Sequence, residues 1–283
     1  MGVAIVAGCV AMVVLAVVWA VRWGSLPVVE VAVPAGRGTA AFVLRRYVRS
    51  VALAIVAGAG AGLLVAGAGG RLAMRLLAVT AGDSSQGLIT EADQVVGEIS
   101  LGGTLGLLVF AGIGFGAVTG FLYMILRRWL PQGRLGGLLF GVILLVIAAP
   151  LVDPIRRDNA DFDLVGPGWV ALLVFATLTL LQGLTVAAIA GRYSQRLPLI
   201  EWSPRTLLRY VPLLLLVPLP IALIPVAVVG LVVVLVGMSP KLMAWFGGRG
   251  VTVAGRVVLV AVVVVFTPLF VSTLADSAAR GPA

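Results

Sequence analysis

The sequence predicts an all-α, polytopic bundle whose helices cross a lipid bilayer about seven times. Hydrophobic residues make up 61% of the 283 positions, charged residues make up only 11%, and the mean hydropathy is +1.18. A soluble domain usually carries about a quarter charged residues. Several apolar runs also reach the roughly 20 residues that a helix needs to cross a bilayer core. Runs such as 257–266 lack the alternation of a membrane β-barrel, which favours helices.

Seven apolar runs are the predicted spans, and they are expected to form one transmembrane domain over residues 1–283. They lie at about 3–21, 51–70, 99–126, 136–152, 168–190, 211–238 and 257–274. No positive residue precedes the first run and no small-residue cleavage site follows it, so we interpret it as an anchor and not as a signal peptide. The sixth run contains four prolines, which predict either one kinked span or a re-entrant pair.

The positions of the arginines predict the orientation, because arginine in short loops marks the cytoplasmic side. With the N-terminus outside, 13 of the 20 lysine and arginine residues lie inside and 7 outside. This predicts an N-out/C-in protein of a bacterial cytoplasmic membrane. Residues 239–256 oppose it, since they place three positive charges outside. The net charge of +9 would suggest nucleic acid in a soluble protein. Here the topology signal explains it, so no nucleic-acid partner is expected.

The composition removes many kinds of chemistry. The chain has no histidine and one cysteine, Cys9. An intramolecular disulfide is therefore impossible, and zinc, copper and b-type haem lack their usual ligands. The sequence contains no nucleophile elbow, Walker A run or dinucleotide fingerprint. We expect no cofactor, no metal centre and no catalytic residue, although magnesium chemistry on carboxylates stays open.

Charged residues concentrate in a predicted outer segment, 71–98. The expected outer charged cluster consists of Arg71, Arg75, Glu91, Asp93 and Glu98. The two arginines share a helix face if the second helix continues to about residue 80. Alternatively, the glycine pair at 69–70 bends the chain and 71–80 lies along the membrane surface. The run TEAD at 90–93 resembles a capping box, which predicts that the acids occupy the first turns of the third helix.

The longest predicted inner segment is the interfacial loop 22–50. Thr39 is expected to cap a helix that runs into the second span. Arg45, Arg46 and Arg49 would then extend from this helix towards lipid phosphates.

Helix packing is predicted at Gly112, Gly116 and Gly120 in the third span. Small residues at four-residue spacing let another membrane helix approach closely. The run AGAGAG at 57–62 offers a partner surface in the second span. Spans two to four are therefore expected to form a tight bundle.

A second acidic loop suggests a weak cation site. Its oxygen-bearing residues are Asp158, Asn159, Asp161 and Asp163. Calcium prefers such clustered carboxylate and amide oxygens, but the EF-hand spacing is missing. The alternative is an Asx-turn in which the neighbouring Arg156 and Arg157 pair with the acids.

Three stretches carry a resemblance to known proteins. They are GGRLAMRL from residue 69, the glycine-rich third span that ends in RRWLP, and NADFDL from residue 159 with GPGW after it. Together they resemble uncharacterised multi-pass membrane proteins of high-GC, actinobacterial-type bacteria. The resemblance covers about residues 69–170 and implies membrane class and source, but no chemistry.

Two functions follow as hypotheses. The favoured one is a non-catalytic accessory or structural subunit that binds lipids, a membrane-protein partner or further copies of itself. It would use its glycine-rich helix faces and its charged outer loops. The predicted spans hold almost no ionisable residue, which a solute pathway usually needs. The alternative is a transporter or channel for a small solute or ion. Its pathway would run from the outer charged cluster to the polar group in span five, which consists of Thr177, Thr179, Gln182 and Thr185.

Overall fold

The computed structural model is helical throughout the part of the chain that it describes, apart from loops and one isolated β-bridge. It describes residues 2–31, 39–91, 95–152, 155–156, 159, 161–216, 220–237, 239, 242, 245 and 248–280. The seven longest helices are α1 (Gly2–Trp23), α2 (Ala40–Thr80), α3 (Leu101–Leu126), α4 (Arg134–Ala148), α5 (Gly168–Ser194), α6 (Pro220–Gly237) and α7 (Arg249–Ala278). Shorter helical turns lie at Asp83–Ser85, Asp161–Leu164, Pro204–Arg209 and Val211–Leu216.

Five of these helices are long and apolar enough to cross a membrane: α1, α2, α3, α5 and α7. The helix α4 is also apolar, but it has only 15 residues. The membrane-bundle prediction therefore holds at the level of class, whereas the predicted number of seven spans is not what the described helices show.

The helix α2 is the longest element, with 41 residues and a length of about 60 Å at 1.5 Å per residue. It begins where the sequence predicts, because the Thr39 side chain accepts a hydrogen bond from the Phe42 N–H at 3.3 Å. It passes straight through the glycine pair at 69–70 and ends at Thr80. Of the two predicted courses, the continuous helix is the one observed, and it carries Arg71 and Arg75.

The third helix starts later than the capping-box interpretation required. Ser100 caps it, accepting a hydrogen bond from the Gly103 N–H at 3.0 Å. The chain before it is held away from helical geometry by the antiparallel bridge between Ile89 and Val95 and by Gly97, whose φ is +92°. The prediction that the run 90–93 opens this helix is wrong, because the capping residue Ser100 lies seven positions after the end of that run.

Helices α2 and α3 meet through glycine. A Cβ on Gly58 would lie 2.8 Å from the Cα of Gly120, and a Cβ on Gly116 would lie 2.9 Å from the Cα of Gly62. Gly112 lies against Leu63 one turn further along. Both helices also carry a π-helical stretch at this seam, at Gly62–Gly67 and Leu108–Phe115. The backbones can pack this closely only because the contact residues lack side chains.

A second close contact joins α4 and α5. A Cβ on Gly183 would lie 2.6 Å from the Cα of Gly141 and 2.6 Å from the carbonyl oxygen of Gly137. The aromatic ring of Phe140, which is fully buried, packs edge-on against Tyr123 of α3 with ring centroids 5.3 Å apart. The helices α2 to α5 thus form one core.

The bundle has two ends, which we name for their composition. The arginine end is formed by residues 22–31, 127–133 and 192–210, where the Val29 N–H donates to the Ser194 hydroxyl at 2.9 Å. The loop end is formed by the described residues of 81–100 and of 150–167. There the Glu91 N–H donates to the Asp161 carboxylate at 2.9 Å.

Both ends of the described chain lie at the loop end. Residue 2 is placed beside Ile99, and the Gly168 N–H donates to the carbonyl oxygen of Arg280 at 3.0 Å. The start of α7 lies at the arginine end, where the Arg256 Nε donates to the carbonyl oxygen of Trp129 at 3.3 Å. The predicted N-out/C-in arrangement, with the two ends on opposite sides, therefore disagrees with the structure.

The reason lies in the proline-rich sixth run. Leu213 and Leu216 pack near Val51 on the half of α2 that faces the arginine end. The helix α6 returns to the same region, because the Tyr47 hydroxyl donates to the carbonyl oxygen of Val226 and the Tyr47 ring covers Gly230. Both parts of this run thus contact one level of α2, and the chain is back at the arginine end when α7 begins.

Candidate functional site: a cationic cavity at the loop end

A cavity of about 130 Å³ lies at the loop end, between α2, the turn at 95–99 and the start of α5. Its walls are mixed, with two arginines on one side and aliphatic and aromatic side chains on the other. The residues that define it are Arg71, Arg75, Leu77, Val96, Asp161 and Phe175. The site exists because α2 continues about three turns past its last glycine, carrying its arginines beyond the tightly packed core.

Arg71 is the buried cation of this cavity. Its residue is only 7% exposed, and its one hydrogen bond in the described structure runs from an Nη to the carbonyl oxygen of Glu98 at 3.3 Å. Its Nε is buried and has no hydrogen-bond partner among the described residues. A guanidinium has five N–H donors, and burying a charge without partners is costly. The cavity therefore presents unused donor capacity.

Arg75 lies one turn further along the same helix face and is exposed. Its Nη donates to the carbonyl oxygen of Gly97 at 3.2 Å. Both arginines thus bind backbone oxygens of the 97–98 turn, and these hydrogen bonds are long for a charged donor, whose usual range is about 2.7–2.9 Å. Among the described residues, no carboxylate forms a salt bridge with either of these two arginines.

The turn that covers the arginines is itself well held. The Gln86 amide donates to the carbonyl oxygen of Ala78 at 2.7 Å, which ties the loop to the end of α2. The Val96 N–H donates to the carbonyl oxygen of Leu88 at 2.9 Å. These bonds fix Val96 as a buried apolar wall of the cavity.

The predicted outer charged cluster is only partly assembled. Arg71 contacts the backbone of Glu98 and Arg75 contacts that of the neighbouring Gly97, while the carboxylate of Glu91 forms a salt bridge with Arg156 at 2.6 Å instead. That salt bridge is part-exposed and joins the two loops of the loop end. Asp93 lies outside the described residues.

The predicted cation site shows an Asx-turn in its described part. The Asn159 side-chain oxygen accepts a hydrogen bond from the Asp161 N–H at 2.8 Å, and the Asp161 carboxylate accepts one from Glu91. The described residues contain no group of three potential metal ligands. Asp158 and the side chain of Asp163 lie outside what is described, so the cation site stays a hypothesis.

A second polar network closes the arginine end, and here one expectation is wrong. Arg49 does not extend towards lipid: it is 4% exposed and donates to the carbonyl oxygens of Ser194 at 2.6 Å, Leu197 at 2.8 Å and Val29 at 3.2 Å. The Ser194 and Leu197 oxygens lie at the carboxyl end of α5, where backbone acceptors need external donors, and the Val29 oxygen lies in the chain that follows α1. The side chain is therefore a buried clamp.

Glu30 is the acid of this network. Its two carboxylate oxygens each form a salt bridge at 2.7 Å, one with Arg46 on α2 and one with Arg127 at the end of α3. Burial raises its pKa, but the charges and hydrogen bonds of Arg127 and Arg46 outweigh burial, so the pKa of Glu30 is lowered from its ordinary value. The sequence offered one signal for this role, since Glu30 is the lone acid of the arginine-rich 22–50 loop.

No protein-family model, curated protein or solved structure matches the chain. The assignment of a function therefore depends on the geometry of these two ends alone.

Proposed function

We propose that the protein is a non-catalytic, multi-pass protein of a bacterial cytoplasmic membrane that binds an anionic group in its loop-end cavity. The observation that carries this proposal is the side chain of Arg71, which lines the cavity and whose buried Nε has no hydrogen-bond partner among the described residues. A phosphate or carboxylate group would accept from it and from Arg75 together, and arginine forms such charged contacts at short distances.

The remaining walls favour a ligand that is partly apolar. Leu77, Val96 and Phe175 face the same space as the arginines. A ligand with a charged head and a hydrocarbon part matches both surfaces, as a phospholipid or another anionic amphiphile does. The Asp161 carboxylate also lines the cavity, but its described oxygen is engaged with the Glu91 backbone.

We do not retain the predicted binding of partners through the glycine-rich helix faces. The glycine faces of α3 are covered by α2 within the same chain, so they do not remain available to a partner protein. What supports a binding role is the loop end, with its cavity and its charged surface. An accessory function through this end fits the geometry better than docking through the glycine stripe.

We further propose that the loop end faces outside and that the chain crosses the membrane six times. Of the 17 arginines in the described residues, 13 lie at the arginine end or on the adjoining parts of α2, α4 and α7, and four lie at the loop end, on the adjoining part of α2 or just past the end of α7. In this arrangement a larger share of the arginines lies on the inner side than in the topology predicted from the sequence, because the start of α7 now contributes to the inner side. The crossings would be α1 to α5 and α7, with 204–237 entering and leaving on the inner side.

The decisive experiment is native mass spectrometry of the protein in nanodiscs that contain phosphatidylglycerol and phosphatidylcholine. We expect one retained phosphatidylglycerol per chain, lost in Arg71→Gln and weakened in Arg75→Gln. The control is Arg22→Gln, because Arg22 is an exposed arginine at the opposite end. Equal retention by Arg71→Gln and the control would contradict the proposal. Addition of inorganic phosphate to protein in detergent separates recognition of a lipid headgroup from recognition of free phosphate.

Transport remains the second candidate function because one observation favours it. Gln182 and the cavity residue Phe175 lie seven positions apart on α5, hence on one helix face, and Gln182 donates to Thr119 inside the bundle. A polar group thus lies below the cavity. Uptake of radiolabelled phosphate into proteoliposomes tests this directly. Uptake that Arg71→Gln abolishes and Arg22→Gln preserves would replace the accessory function with transport.

A further inference from the structure

Two buried oxygens in the interior of the bundle have no hydrogen-bond partner among the described residues. They are the Oε1 of Gln182 and the Oγ1 of Thr185, both on α5. Gln182 is 6% exposed and Thr185 is fully buried. The amide nitrogen of Gln182 is satisfied, since it donates to the Thr119 hydroxyl on α3 at 3.0 Å. Exchange of the two amide ends would only move the unsatisfied atom from oxygen to nitrogen.

Other threonine hydroxyls of α5 do have hydrogen-bond partners. Thr177 donates to the carbonyl oxygen of Leu173 at 2.7 Å, and Thr179 donates to that of Phe175 at 2.8 Å. Thr119 on α3 likewise donates to the Gly116 carbonyl oxygen at 2.8 Å. These threonines satisfy themselves on their own helix, as membrane threonines commonly do. Thr185 does not.

Gln182 and Thr185 lie three positions apart on α5. Residues three apart on a helix are neighbours on one face, with Cβ atoms about 5–6 Å apart. A single atom at hydrogen-bond distance from both, about 2.8 Å from each, fits between such side chains. Buried water typically makes about three hydrogen bonds to polar groups that would otherwise be unsatisfied. Hydrocarbon offers no substitute for these bonds.

The charges around the site favour a neutral occupant over a cation. The helix α3 contains no charged residue, and the only charged residue of α5 is Arg192, about two turns from Thr185. A sodium ion would lack a carboxylate partner on either helix, and an unpaired charge in this setting is costly. Neutral oxygens match a water molecule.

We infer that Gln182 and Thr185 hold one structural water molecule inside the bundle, and that Thr119 anchors this hydration site to α3. The water accepts or donates at the Thr185 hydroxyl and donates to the Gln182 carbonyl oxygen. It links neighbouring turns of α5 at the level where α5 meets α3. This site is independent of the loop-end cavity, because none of its three side chains lines that cavity.

The direct test is a cryo-EM or crystal structure of the full chain in lipid at a resolution that shows ordered water. We expect one water-sized peak within about 2.6–3.2 Å of Gln182 Oε1 and Thr185 Oγ1. A peak with shorter oxygen contacts of about 2.3–2.5 Å would instead indicate a cation and overturn the inference. An empty site, with the Thr185 hydroxyl turned onto the Leu181 carbonyl oxygen, would overturn it as well.

Thermal unfolding gives a second, independent readout. Thr185→Val should lower Tm by about 2–4 °C, the shift expected when a chain of this size loses one modest interaction. The control Thr179→Val should change Tm by much less, since its hydroxyl serves only its own helix. Gln182→Leu combined with Thr185→Val should cost less than the two single changes added together, because both act on one water. Additive losses, with Thr185→Val equal to the control, would contradict a shared water.

Discussion

The guanidinium of Arg49 lies 2.6 Å from the carbonyl oxygen of Ser194, so a charged side chain of α2 closes the carboxyl end of α5. Two further carbonyl oxygens, those of Leu197 and Val29, accept from the same guanidinium. One side chain therefore joins α2, the end of α5 and the extended chain that follows α1. The arginine end is organised around this buried cation, although arginine at such positions in membrane proteins normally serves orientation.

This geometry predicts that Arg49 and Arg45, which are four residues apart, contribute very differently to the stability of the protein. Arg49→Met should destabilise the protein by about 3 kcal/mol, because three carbonyl oxygens, two of them in buried hydrogen bonds, lose their donor. Arg45→Met should cost little, since Arg45 is exposed. Thermal unfolding in detergent, followed by the loss of helical circular dichroism, measures both. Equal stability of the two variants would show that the Arg49 hydrogen bonds do not contribute.

The contrast between these arginines also shows how far the sequence leads. Apolar length predicts the membrane class and the positions of most helices, and Thr39 is correctly identified as a cap because capping is a local property. Whether Arg49 points to lipid or to protein depends on the distant end of α5. That contact spans 145 residues and leaves no local trace in the sequence.

At the candidate site, too, local features can be predicted from the sequence and contacts between distant residues cannot. The pair of arginines on one helix face follows from their spacing, but their acceptors are backbone oxygens of a turn and not the carboxylates that composition suggested. The Val96 and Phe175 walls come from two other parts of the chain. Similarly, the run 211–238 has the length of a span, and only its packing against Tyr47 and Val51 reveals that it returns to the end where it began.

The salt bridges of Glu30 predict an acid-sensitive stability. Because its pKa in the folded protein is lowered from the ordinary 4.5, the carboxylate contributes stability above pH 4.5, and this contribution is lost as the pH falls through the lowered pKa. Wild type should lose stability below about pH 4.5 more steeply than Glu30→Gln. The effect is modest because the Glu30 side chain is 52% exposed.

Unfolding midpoints between pH 3 and pH 7 provide the measurement, with Glu201→Gln as the matched control. Glu201 is an exposed acid near the same end, and no described salt bridge involves it. If Glu30→Gln and Glu201→Gln follow the same curve as wild type, the bridges to Arg46 and Arg127 do not control acid stability.

From the close packing of α2 against α3 we expect alanine substitution at two glycines of α3 to affect stability in different ways. A methyl group on Gly116 would lie 2.9 Å from the Cα of Gly62, a contact with backbone that cannot move aside, so Gly116→Ala should separate the helices. The expected loss is about 1–3 kcal/mol, as for overpacking in other cores. Gly106→Ala should be neutral or stabilising, since nothing lies within 4 Å of that position and alanine favours a helix. A Gly116→Ala protein as stable as Gly106→Ala would mean that this seam is not tightly packed.

The last prediction concerns the packing of α7, which is the least buried of the five candidate spans. Its contact with the arginine end is made at Gly255, where the indole of Trp129 occupies the space that a side chain would need. Gly255→Val should therefore displace α7 from the end of α3 and break the hydrogen bond from Arg256 to the Trp129 carbonyl oxygen. Gly250→Val is the matched control, because no atom lies within 4 Å of that position on the same helix. Protease sensitivity of the chain between α6 and α7 reports the displacement: we expect faster cleavage in Gly255→Val than in Gly250→Val, and equal cleavage would place α7 elsewhere than against Trp129.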